Sequence, residues 1–239
     1  MNKEKYNTIS EVMSLIYRTS KEVKKIAKDM DQTVRDQAGS MSSDGSTGDA
    51  GVESSNFGAV MHNLINQMLL ASKAKGTVRL ALSELEAGRK PVIALANTMG
   101  SFIEEYAEEE GVAPGGRLDL DFNALLMRYL KRTLRLVEKK PFGKITKEIW
   151  LNPEDLTPEG EALYRRAEKL ISSLDLSDFP VSPIDFIRAE MAKAGFKVGE
   201  ITGRTQTADY RADGGVYYRL RPGAETSSAG KLKTISGFN

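Results

Sequence analysis

The chain has 239 residues and almost balanced charge, Lys plus Arg 34 against Asp plus Glu 33, giving a formal net charge of +1. That balance excludes attraction of the whole molecule to nucleic acid or membrane and leaves only local patches to weigh, while a 40% hydrophobic content is enough to build a core. Cysteine is absent, which excludes disulfide frameworks, thiolate metal sites and thiol catalysis.

From about Lys3 to Asp36 the sequence reads as a helix, with Tyr6, Ile9, Val12, Met13, Ile16, Tyr17, Val23 and Ile26 on one face. The Gly, Ser and Asp content of residues 40–56 cannot bury enough area to offset its ordering entropy, so this stretch reads as a mobile loop. Residues 1–56 therefore form a helical segment plus loop ahead of the main domain. Helical periodicity resumes at Phe57 and reaches about Leu70, then restarts behind Ser72 as an N-cap and ends at Gly88, where a left-handed residue is wanted. Pro91 to Ala96 is a short, almost wholly apolar run, expected to be a parallel strand covered on both faces. Asn97 and Thr98 then stand at its C-terminal end, where open α/β sheets place ligand contacts.

Gly100 to Glu110 reads as a helix with an acidic end, and residues 112–117 as a turn. Leu118 to Val137 is expected to be one amphipathic helix whose outer face is basic, with Arg128, Lys131, Arg132 and Arg135 followed by Lys139 and Lys140. Trp150 is expected to anchor this region against the core. Thr157 before Pro158, and Ser182 before Pro183, each supply an N-cap with proline at the first helical position. Asp185 is read as a first-turn charge behind Ser182. Gly195 closes the second of these helices. Phe196 to Thr202 alternates like a strand and leads to Gly203, Arg204 and Thr205; a hairpin turning at Asp213-Gly214 and a weak C-terminal helix follow.

Two helix-then-strand units argue for an α/β layered fold, although two strands alone make no stable sheet. No segment matches a phosphate-cradling P-loop or a strand-linked G-x-G-x-x-G. The lone histidine, His62, flanks an apolar helical stripe, so no catalytic histidine and no His/Cys metal site is expected. Neither a bilayer-spanning run nor a signal-like N-terminus is present in the sequence, which reads as soluble and intracellular, cytoplasmic or, in a eukaryote, nuclear. These absences make a free-standing enzyme unlike this chain.

The order of segments resembles the second RecA-like domain of superfamily 2 helicases, and more narrowly the Strawberry notch family, also found in phage and plasmid methylase-helicase proteins. The elements that carry the resemblance are Ala71-Ser72-Lys73, Gly88-Arg89-Lys90, the run from Val92 to Ala96, Asn97-Thr98-Met99-Gly100, and Ile201-Thr202-Gly203-Arg204 with the hairpin behind it. It covers most of residues 57–239 and skips an excursion from about Gly111 to Leu176, which reads as a helical insertion. Where the family carries Gln-Ser-Thr-Gly, this chain has Asn97-Thr98-Met99-Gly100.

The fold implied is an incomplete RecA-like parallel sheet with flanking helices, the insertion and a small hairpin. The function implied is that of a second motor lobe in a nucleic-acid-dependent ATPase, with Asn97, Thr98, Gly203, Arg204 and Thr205 touching the phosphate backbone, of DNA in the first instance. Phe238-Asn239 resembles the point just before the family's next strand and its last two motifs. The resemblance therefore implies a piece of a longer polypeptide whose first RecA-like lobe would supply the site for ATP and Mg. No cofactor and no catalytic residue are expected in this chain, which alone should be inactive. The alternative reading is a non-enzymatic, α-rich adaptor that docks an acidic partner through the basic helix.

Overall fold

The computed structural model describes residues 3–39, 51–54, 57–96, 100–139 and 145–237. Helix α1 (Lys3–Gly39) forms as its pattern dictates, with Ile9, Val12, Met13, Ile16 and Val23 buried along one side. The chain divides into two compact units, residues 1–64 with 123–175 and residues 65–122 with 176–239.

In the first unit α1 packs along α5 (Pro158–Ser173), which buries Leu163, Tyr164, Ala167 and Ile171. The start of α5 is fixed by Thr157: its hydroxyl accepts from the Gly160 amide at 3.1 Å and donates to Glu22 of α1 at 3.1 Å. One side chain thus caps a helix and ties it to its neighbour. Strand β1 (Gly51–Ser54) pairs antiparallel with β2 (Arg135–Lys139), which pairs antiparallel with β3 (Ile145–Trp150). A short helix, α4 (Phe122–Arg132), precedes β2 and buries Leu125, Leu126, Tyr129 and Leu130.

Most of α2 (Phe57–Glu86) belongs to the second unit, together with α3 (Gly100–Glu109), α6 (Pro183–Lys193), the hairpin β4 (Gln206–Tyr210) and β5 (Val216–Leu220), and the terminal helices α7 (Gly223–Thr226) and α8 (Ser228–Ser236). Helices α2 and α6 end in the same way. Gly88 and Gly195 adopt φ of 75° and 85°. Each time, the glycine amide bonds the carbonyl three residues back, and the next residue's amide reaches five back, Arg89 to Glu84 at 2.8 Å and Phe196 to Met191 at 3.0 Å. Each helix then hands over to an extended segment, 91–96 after α2 and 196–202 after α6. Ile93, Phe196 and Val198 pack against a shared cluster of Val78, Ala81, Ile187 and Met191. Exposure alternates residue by residue along both segments, so one side faces the helices and the other carries exposed Val92 and Ile201.

Several expectations require correction. The fold is mixed helix and strand, but the two sheets, β1-β2-β3 and β4-β5, are antiparallel, and no parallel pair occurs among the described residues. Residues 91–96 and 196–202 are extended without being strands. Their helical layer imposes the two-residue burial period, yet their backbone groups form no ladder with one another or with any described neighbour. Ser72 caps nothing: α2 runs through it, and its hydroxyl donates back to the Leu69 carbonyl at 2.9 Å. The expected helix to Val137 stops at Arg132, because the run RLVEK pairs with β1 and β3 instead. The excursion is therefore not wholly helical. Residues 51–54, expected in a loop, form β1, while 40–50 and 55–56 lie outside the described residues. Trp150, expected as an anchor against the core, is 54% exposed rather than buried. The hairpin forms as expected, with Asp213 accepting from the Gly215 amide at 2.8 Å and from the Tyr217 hydroxyl at 2.7 Å.

Replacing Thr157 by alanine removes both the cap and the tie to Glu22. A loss of about 1–2 kcal/mol in urea unfolding is expected; an unchanged midpoint would contradict the role given to this hydroxyl.

Candidate functional site

The richest concentration of charge lies in the second unit, where the start of α6, the extended segment 196–205 and β4 converge. Ser182 precedes α6 and Pro183 opens it, which brings Asp185 into the first turn. Asp185 is buried and takes five donors. Its Oδ1 accepts from Arg204 Nη2 at 2.5 Å and Thr207 Oγ1 at 2.6 Å; its Oδ2 accepts from Ser182 Oγ at 2.6 Å, Arg204 Nη1 at 2.7 Å and the Ala208 amide at 2.8 Å. The carboxylate thus binds its own helix start, the guanidinium of the extended segment and the backbone of β4.

Alternation along the extended segment puts Phe196, Val198, Glu200, Thr202 and Arg204 on one side of the chain. The first two meet the apolar cluster, while Glu200 and Arg204 meet each other. Arg204 Nε donates to Glu200 Oε1 at 2.7 Å and Nη2 to Oε2 at 2.8 Å, so its guanidinium is forked between two carboxylates, with a side chain 1% exposed. Glu200 also receives Thr202 Oγ1 at 2.5 Å, Arg188 Nη1 at 2.9 Å and the charge of Arg221 Nη1 at 3.0 Å. Arg221 Nη1 bonds the Arg204 carbonyl as well, at 3.1 Å. Gly100, at the start of α3, lies against the stem of this arginine: a Cβ there would stand 2.8 Å from Arg204 Cβ.

Burial alone would raise the Glu200 pKa. The hydrogen bonds from Arg204 and Thr202, with the charges of Arg204 and Arg221, outweigh it and bring the value down to about 2. Burial works against the charge of Arg204 too, but its bonds to Glu200 and Asp185 push its pKa upward. Burial raises Tyr210, whose hydroxyl accepts from the Ser182 amide at 3.2 Å and whose ring meets Phe186 edge-on at 5.9 Å. With its carboxylates paired from within, this cluster is suited to fixing geometry rather than to moving protons: Glu200 stays ionised at neutral pH and has no proton to give.

The residues singled out from sequence fall in different places. Gly203 and Thr205 are exposed on either side of buried Arg204, and the Thr205 carbonyl accepts from the Arg221 amide at 2.8 Å. Asn97 and Thr98 lie outside the described residues, although Gly100 brings the segment that follows them against Arg204. Arg204 itself, expected at phosphate, is turned inward, where Asp185 and Glu200 take four of the five N–H donors of its guanidinium. The basic patch belongs to the first unit and is broken up. Lys131 is exposed and Arg128 and Arg132 half-buried on α4, Arg135 sits in β2 and pairs with Glu148, and Glu138 stands opposite Lys147. The side chain of Lys139 and the whole of Lys140 lie outside the described residues. Among the described residues no group of His, Cys, Asp and Glu could hold a metal, and no helix is long and apolar enough to cross a membrane.

Sequence reasoning missed Asp185, Glu200 and Arg221 as partners. A signal was present: Glu200 and Arg204 share a parity with Phe196 and Val198, so opposite charges were due to meet on the buried side. Comparisons with protein-family models, with curated proteins and with solved structures find no match for this chain.

Arg204→Met would leave two buried carboxylates without their shared counter-charge, so a loss of about 3–5 kcal/mol in urea unfolding is expected; a loss below about 1 kcal/mol would show that the cluster does not hold the unit together. The pH dependence has a definite sign. Because the folded Glu200 lies below its ordinary value of 4.5, its contribution is complete above pH 4.5 and disappears as pH falls through about 2. Wild-type unfolding free energy should therefore fall more steeply over that window than that of Glu200→Gln. Superimposable profiles would contradict the assignment.

Proposed function

We propose that this chain is the second, RecA-like motor lobe of a superfamily 2 nucleic-acid-dependent ATPase, meeting the phosphate backbone along the rim where residues 97–99 and 203–205 follow the two extended segments. One repetition carries the reading. Twice a helix ends in a left-handed glycine and delivers an apolar extended run onto the same cluster of Val78, Ala81, Ile187 and Met191. Both runs touch that cluster, and Gly100, four residues past the first, lies against Arg204, two residues past the second, which supports a common direction of advance like that of neighbouring strands in a parallel sheet. In open α/β sheets that end is where ligands bind.

The roles within the rim differ from those carried by the resemblance. Arg204 is its internal clamp, and phosphate contact falls to the exposed Gly203 and Thr205, through backbone amides and a hydroxyl, with Asn97 and Thr98 proposed beside them. With no P-loop in its sequence, the chain is not proposed to hydrolyse ATP by itself; ATP and Mg belong to a complete motor with a first lobe. The adaptor reading has weaker support, since Arg135 is neutralised by Glu148, and on α4 Arg128 and Arg132 are half-buried while Lys131 is exposed.

The test is fluorescence polarisation of labelled single-stranded and duplex DNA against the full chain at low and moderate salt, with an ATPase assay alongside. Weak, strongly salt-dependent binding without ATP turnover is expected, weakened at least about fivefold by Gly203→Asp, which sets a negative charge in open space on the rim. Binding unaffected by that substitution, no binding at low salt, or turnover by the pure chain would each overturn the proposal.

A further inference from the structure

The outer side of α1 carries a pattern that neither the motor-lobe reading nor the first unit's core uses. Ser10, Ser14, Tyr17, Lys21, Lys24 and Lys28 follow one another at spacings of four, three, four, three and four residues, and all six are exposed. That spacing draws one stripe along a helix, opposite the buried row of Ile9, Val12, Ile16 and Val23. Its length from Ser10 to Lys28 is roughly 27 Å at the helical rise of about 1.5 Å per residue.

Glu11, Glu22 and Asp29 lie off the stripe, while Asp31, three residues past Lys28, takes its next position and bounds the run of lysines. Glu11 pairs with Arg166, and Glu22 takes Lys25 at 2.6 Å and Thr157 at 3.1 Å. Asp29, next along from Lys28, is turned about 100° around the helix from it. Lys21 lies over the Tyr17 ring at 4.7 Å, and among the described residues Lys21, Lys24 and Lys28 face no carboxylate within ion-pair distance. In a chain whose net charge is only +1, a row of three uncompensated ammonium groups continued by three hydroxyls is a local concentration of one sign.

We infer that this stripe is a docking surface for the phosphate backbone of nucleic acid, read without regard to sequence. Charge complementarity selects a polyanion. Lysines act as point charges toward phosphates, and Ser and Tyr hydroxyls are donors of the kind that position a backbone rather than read bases. A lipid surface fits less well, because the apolar side of α1 is spent on the core of its own unit and nothing greasy borders the lysines. The inference stands on α1 alone and does not depend on the rim around Gly203.

The experiment is a salt titration of duplex DNA binding by the full chain and by the combined Lys21→Gln, Lys24→Gln and Lys28→Gln variant, with circular dichroism confirming equal helicity. Three lost phosphate contacts should lower the slope of log K against log salt by about 2–3 and weaken low-salt binding by more than about tenfold. A control variant carrying Lys73→Gln, Lys169→Gln and Lys233→Gln, equal in net charge, should keep the wild-type slope. Wild-type slope in the α1 variant, equal loss in the control, or binding to polyglutamate or phosphatidylserine vesicles as tight as to DNA would each overturn the inference. Gly203→Asp run in parallel separates the surfaces: a rim that fails there leaves the α1 slope change standing, and the reverse holds too.

Discussion

The guanidinium of Arg204, forked between Asp185 and Glu200, is the interaction on which the second unit turns. Three successive pieces of chain meet there: the first turn of α6, the extended segment after it, and the first strand of the hairpin. A buried charge is costly unless it is paired and hydrogen-bonded, and here the guanidinium is paired with two carboxylates through four hydrogen bonds. The geometry is therefore strongly determined. No single partner can be removed without stranding another charge in a place water does not reach.

That determination has a consequence for the exposed residues on either side. Gly203 and Thr205 flank a side chain that cannot swing, so their backbone is held in position without having to be packed itself. Gly100 extends the constraint to α3, because only a residue without a side chain fits against the arginine stem. Under the proposed function, a rim of exposed amides and small polar groups braced from beneath by an ion cluster would present donors to a phosphate chain at little ordering cost. The same arginine cannot both brace the rim and hold the phosphate.

Much of this was legible in the sequence, and the limits have physical causes. Local signals worked where the decisive interactions are local: Thr157-Pro158 and Ser182-Pro183 mark the starts of α5 and α6, Gly88 and Gly195 mark the ends of α2 and α6, and Asp213-Gly214 marks the hairpin turn. They failed where remote pairing decides. Arg135 to Lys139 follow a helical pattern continuously from α4, yet are taken into a sheet by β1 and β3, which periodicity along one segment cannot reveal. Conversely, residues 91–96 and 196–202 have the composition and alternation of strands without a ladder, since burial period belongs to the side chains and strand identity to the backbone's partners. In the site, Arg204 was found but its direction was not. The resemblance implied contact with phosphate, whereas its parity with Phe196, Val198 and Glu200 sends it inward.

The central claim is that the two extended segments lie side by side and advance together toward the Arg204 clamp. A chain without cysteine allows that to be read directly by introducing pairs and following disulfide formation. The exposed positions Val92, Ala96, Lys197 and Ile201 all lie on the side away from the helices. Parallel segments should cross-link Val92→Cys with Lys197→Cys and Ala96→Cys with Ile201→Cys, and leave the crossed pairs, Val92 with Ile201 and Ala96 with Lys197, unlinked. Preferential linking of the crossed pairs, or of none, would contradict the account.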